Sequence, residues 1–131
     1  MGRFPLLFQG VKNLKINILG AEYTVNYCNY EDKAIFEKRG ICGYHDGATK
    51  EIVIGKIGTF PGFEEETEDH CKQEEKEILR HEIVHAFLHE SGLADSSLQY
   101  SNGWAKNEEM VDWIAMQFPK MYKAFKDADC V

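Results

Sequence analysis

Apolar and polar residues alternate through KNLKINIL (residues 12–19), where Leu14, Ile16 and Ile18 share one side; this period of two marks a half-buried strand. Gly20 follows. Ala21–Cys28 then alternates again through Tyr23, Val25 and Tyr27, so the pair reads as a hairpin. Residues 31–39 (EDKAIFEKR) predict a short helix that Gly40 stops. Residues 41–45 and 51–57 flank Asp46-Gly47, a dipeptide suited to tight turns, and Ile52, Ile54 and Ile57 carry the second strand of that pair.

The period changes in the second half. FPGFEEETEDH (residues 60–70) reads as a Pro/Gly turn leading into an acid-rich loop or first helical turn, since acids favour helix N-termini. A helical pattern runs from about Cys71 to Glu90 and ends at Ser91-Gly92. A second helix is expected from about Ala105 to Phe118, before Pro119. A last short helix, Lys120 to Ala128, carries Met121, Tyr122, Ala124 and Phe125. Strands first and helices after predict an α+β domain: an N-terminal antiparallel sheet, then helices, in a single unit over residues 12–131. Leu7-Phe8-Gln9-Gly10 is similar to the end of a tag-protease site. Residues 1–11 are therefore read as tag-derived or disordered, without functional weight.

Composition narrows the field. The chain has 131 residues, 44% apolar and 28% charged, which suits one globular domain. Its net charge of -7 argues against nucleic acid as a partner, because phosphate contacts need a basic face, and against anionic membranes. Cys28, Cys42, Cys71 and Cys130 are scattered with no C-x-x-C pair, which suits free thiols in a reducing, cytoplasmic setting. No apolar run reaches the roughly 18 residues of a transmembrane helix, and the N-terminus has no signal-peptide pattern.

Chemistry concentrates at His81-Glu82-Ile83-Val84-His85, an H-E-x-x-H segment. Residues four apart lie on one face of a helix, so both imidazoles can reach one metal ion. At about 100° per residue, His85 falls near 40° from His81, His89 near 80° and Glu82 near 100°. Glu82 can therefore sit beside a metal without ligating it and accept a proton from metal-bound water. Leu79, Ile83, Val84, Ala86, Phe87 and Leu88 fill the opposite arc, as in a buried helix with one ionisable strip.

A catalytic zinc uses three protein ligands and a water. His89 is a poor third ligand, because it lies about 12 Å along the helix axis from His81. The three-histidine pattern H-E-x-x-H-x-x-G-x-x-H fails, since Leu88 and Ser91 stand where it needs Gly and His. On the second helix Glu108 borders the apolar face set by Val111 and Ile114, while Glu109 faces water. Glu108 is the candidate carboxylate ligand. Asp112, one turn on, can accept a hydrogen bond from the outer nitrogen of a ligating histidine. One zinc per chain is expected; His and carboxylate ligands also suit manganese or iron.

H-E-x-x-H followed by N-E-x-x-x-D (Asn107, Glu108, Asp112) resembles the gluzincin class of zinc peptidases. HEIVHAFLHESGL with WAKNEEMVDWIA is similar to minimal ImmA/IrrE-type peptidases and to small phage- or prophage-encoded proteins of that kind. The resemblance covers residues 81–115 well and residues 41–57 loosely. It implies a small zincin-like fold, His81, His85 and Glu108 as ligands, Glu82 as base and Asp112 behind a histidine. It also implies hydrolysis of peptide bonds in a protein or peptide substrate. No residue matches the family's histidine or tyrosine that stabilises the transition state; His70, Tyr44, His45 and Tyr100 are available, and each also suits a structural or surface place. The strand at residues 51–57 is a candidate free edge for an extended substrate. Two other readings stand beside the enzyme: a non-catalytic zincin-like interaction module, and a structural metal site completed by a fourth ligand such as His89.

Overall fold

The computed structural model describes residues 13–96 and 103–131. Strand β1 (Asn13–Ile18) pairs antiparallel with β2 (Ala21–Cys28), with Ile16 opposite Tyr23. Leu19 (φ 52°) and Gly20 (φ 92°) both take positive φ, as a two-residue hairpin turn matched to strand twist requires. The Asn17 side chain accepts from the Gly20 N–H and closes that turn. After β2 the chain makes a turn of 3-10 helix (Tyr30–Asp32) and helix α1 (Ala34–Arg39). Gly40 ends α1 in the left-handed conformation (φ 62°), as expected of a helix-stopping glycine.

β3 (Gly43–Asp46) and β4 (Glu51–Gly55) form the second pair, and Asp46 Oδ1 accepts from the Ala48 and Thr49 N–H groups in the turn. The strand order is β1-β2-β4-β3, and β2 runs parallel to β4. The sheet is therefore mixed, not the antiparallel sheet expected. A parallel pair needs a crossover of a dozen or more residues; the stretch through α1 and β3 supplies it. That route leaves β3 at an edge and β4 inside, so residues 51–57 offer no free edge. β4 also stops at Gly55, where the Phe60 ring packs so closely that a Cβ would lie 2.4 Å from it. Ile57 starts a 3-10 turn, Ile57–Thr59.

Period-two alternation gives the sheet two apolar faces. Ile18, Tyr23, Val25, Ile52 and Ile54 pack with Ala86 on one side; Val53 packs with Phe36 and Phe60 on the other. Helix α2 (Glu68–Glu90) lies on the first face and α1 serves the second. α2 begins earlier than the apolar period shows, because Thr67 caps it by accepting from the His70 N–H, and Glu68 and Asp69 suit its positive end. The helix is less enclosed than its apolar arc suggests. Cys71, Glu82 and Ala86 are its buried residues, while Phe87 is 42% exposed. A domain this small has little beyond one sheet face and one further helix to cover it.

A short helical turn, α3 (Leu93–Ser96), follows Gly92, and a 3-10 turn, Trp104–Lys106, leads into α4 (Glu108–Asp127). Asn107 caps α4 by accepting from the Met110 N–H. The expected break at Pro119 does not occur; Pro119 lies inside one continuous helix. Proline lacks the N–H that the Ala115 carbonyl would accept. The Arg80 Nε–H of α2 donates to that carbonyl instead, so the helix continues without an orphaned acceptor. Among the described residues, no helix is long and apolar enough to cross a membrane. The reading of residues 1–11 as tag-derived lies outside the described residues.

Candidate metal centre

His81 and His85 project from one side of α2, as their four-residue spacing dictates, and the first turn of α4 brings Glu108 to them. His81 Nε2 lies 3.1 Å from Glu108 Oε1, His85 Nε2 lies 2.9 Å from the same oxygen, and the two Nε2 atoms are 3.1 Å apart. Among the described residues, these three side chains form the group of His, Cys, Asp or Glu that can hold a metal ion.

The donor set fits a divalent cation. Zinc bonds of about 2.0–2.1 Å in a tetrahedron place neighbouring donor atoms about 3.3 Å apart, close to the three separations here. His81 Nδ1 lies 2.7 Å from Asp112 Oδ1. An ionised carboxylate only accepts, so His81 donates its Nδ1–H there and, as neutral imidazole, turns a bare Nε2 toward the other two donors. Two ring nitrogens and a carboxylate that converge in this way could hold such a cation.

Glu82 lies deeper than these candidate ligands. It is 8% exposed and lines a cavity of about 230 Å3 between α2 and β3, together with Gly43, Ile78, His81 and Asp112. Burial pushes its carboxyl up to about 7; neighbouring His81 opposes the rise, and the Glu108 and Asp112 carboxylates add to it. A carboxyl raised this far can exchange a proton near neutral pH.

The remaining histidines and tyrosines divide by strand face and helix turn. His45 of β3 faces α2 and stacks on the His85 ring (6.3 Å between centroids, 8° between planes). Its Nε2 is buried without a hydrogen-bond partner, and burial lowers its pKa to about 4, with His85 and His89 acting in the same direction. Tyr44, one residue earlier, points to the opposite face and packs with Phe36, Val53 and Phe60. His70 sits in the first turn of α2 between Glu66 and Glu74, 3.7 Å from each. His89 is edge-on to His45 at 5.5 Å and does not join the converging donors. Tyr100 lies outside the described residues. The contact of His45 with a candidate ligand escapes a reading by helix motif, although period two from Ile52's partner strand would place it on the α2 face. A larger hollow of about 850 Å3 lies at the other end of α2, lined by Leu14, Tyr27, Phe63 and Leu79 among others, away from this cluster.

Comparison with known proteins finds no matching family model, no matching curated protein and no matching solved structure.

Proposed function

We propose that the chain is a zincin-like metallopeptidase that binds one zinc ion through His81, His85 and Glu108 and hydrolyses peptide bonds. The observation that carries this reading is the convergence of those three donor atoms beside a buried carboxylate, Glu82. A divalent ion held by such a set would supply an acidified water, with a pKa toward about 7, and a Lewis acid for a carbonyl. Glu82 takes the proton from the attacking water and passes it to the leaving amine. Asp112 holds the His81 ring in one orientation and one tautomer. The edge strand β3, which borders the Glu82 cavity at Gly43, offers backbone groups to an extended peptide. The resemblance to ImmA/IrrE-type and phage-encoded peptidases, and a cytoplasmic place of action, belong to this same proposal.

Elemental analysis of protein purified without chelator tests it. About one zinc per chain is expected, lost in a His81→Ala/His85→Ala double variant. Glu82→Gln is expected to keep the metal and lose cleavage of candidate protein substrates. A natural protein that neither contains zinc nor takes it up overturns the reading; a Glu82→Gln variant that cleaves at the normal rate overturns the role of Glu82.

A second reading, a non-catalytic interaction module, draws on α4. Phe118, Tyr122 and Phe125 continue the apolar stripe of Val111 and Ala115 along α4 and are each at least 40% exposed. Capture of a partner without its cleavage would favour this reading.

A further inference from the structure

Glu108 and Asp112 are far more exposed than the histidines they touch, with side-chain exposures of 70% and 62% against 19% for His81. Local packing therefore does little to hold them. Their positions depend on where α4 lies along α2. The buried residues of α4 are Val111 and Ala115, both small. Apolar contact of this kind is non-directional and permits a helix to slide or roll. A hydrogen bond is directional.

Apart from the His81–Asp112 and His85–Glu108 contacts themselves, a directional contact between these helices runs from Arg80 to the Ala115 carbonyl. Arg80 directly precedes His81. Ala115 is three residues beyond Asp112 and seven beyond Glu108, on the same side of α4 at helical spacing. The carbonyl is free to accept across the interface because Pro119, four residues on, brings no N–H. We propose that Arg80 and Pro119 form a latch: the proline releases a carbonyl, the arginine captures it, and the bond fixes the register of α4 on α2 so that Glu108 and Asp112 meet His81 and His85. Arg80 is a positioning residue. The proposal rests on the metal-site reading above.

Three variants test it: Arg80→Met, which keeps the aliphatic stem without the donor; Pro119→Ala, which returns a helical N–H to the Ala115 carbonyl; and their combination. Zinc affinity is measured by chelator competition, ligand geometry by the visible spectrum of bound cobalt, and fold stability by thermal unfolding of chelator-treated protein. Arg80→Met is expected to weaken zinc binding by roughly 10–100-fold, the usual cost of losing support behind a ligand, and to alter the cobalt spectrum. The double variant is expected to regain thermal stability, because its carbonyl is satisfied within α4, yet to bind zinc as weakly as Arg80→Met. Stability restored without affinity separates positioning from simple structural support. Should Arg80→Met fail to fold, the double variant carries the same comparison. Wild-type affinity and spectrum in Arg80→Met overturn the latch, as does recovery of both stability and affinity in the double variant. A wild-type protein that binds neither metal overturns the metal reading and the latch with it.

Discussion

The carboxylate of Asp112 lies 2.7 Å from Nδ1 of His81, so a side chain one turn beyond Glu108 on α4 reaches a candidate metal ligand on α2. A histidine held this way presents Nε2 to a metal in one tautomer and one ring orientation, and loses less freedom on binding. Asp112→Asn keeps the shape and removes the charge, and its amide can present an N–H to the ring in place of an acceptor. Zinc affinity, read by chelator competition, is expected to fall by roughly 10–100-fold in Asp112→Asn. Unchanged affinity would leave the pair as a surface contact.

Much of this arrangement is legible in the sequence, and what is hidden has physical causes. Alternation at Ile16, Tyr23, Val25 and Ile52 marks strands because side-chain direction has a strict period of two. The spacing of His81, Glu82 and His85 fixes their angles around a helix before any tertiary contact forms. Angles do not give depth, so the burial of Glu82 beneath its neighbours depends on the sheet. Strand order is hidden too, because the parallel pairing of β2 with β4 depends on a crossover rather than on a local pattern. Pro119 misleads for a similar reason: the donor that lets α4 continue is Arg80, 35 residues before the carbonyl it reaches.

Gly43 sets how closely β3 approaches α2 beside Glu82. A Cβ there would lie 2.8 Å from Ile78 Cγ2 and 3.1 Å from the Val53 carbonyl oxygen. One neighbour is a branched side chain on α2 and the other is backbone, so relief comes from displacing Ile78 and, with it, α2. Gly43→Ala is expected to cost about 1–3 kcal/mol in chemical denaturation, the usual range for overpacking. It is also expected to raise the exposure of Glu82, seen as a carboxyl titrating below its position in the parent. A neutral effect on both would show that Ile78 turns aside without disturbing α2.

His45 should make the fold sensitive to acid. Its folded pKa, about 4, lies below the ordinary 6.5 because burial disfavours the charged ring. Between these values the unfolded chain binds a proton that the folded chain refuses, so stability falls as pH drops from 6.5 toward 4. His45→Phe keeps a ring against Tyr23 and His85 and removes both the titration and the unpartnered nitrogen. Denaturation series between pH 4 and 7 are expected to show a shallower acid loss in His45→Phe than in the parent. Parallel slopes would place the acid sensitivity elsewhere.

Glu82 predicts the opposite slope at higher pH. Its folded pKa is raised from 4.5 to about 7, so the unfolded chain gives up this proton first as pH rises. Stability is then unaffected by the group below 4.5, decreases between 4.5 and 7, and stays lowered above that. At about 1.4 kcal/mol per pKa unit, the cost in chelator-treated protein is on the order of 3 kcal/mol at pH 8. Glu82→Gln removes the buried charge, so chelator-treated Glu82→Gln is expected to be more stable than the parent at pH 8, with the gap closing toward pH 4.5. Adding zinc should narrow the gap at pH 8, because a bound cation beside Glu82 favours its ionised form and thereby stabilises the parent more than the variant. A gap that zinc leaves unchanged, in protein shown to bind it, would mean that Glu82 does not face the metal.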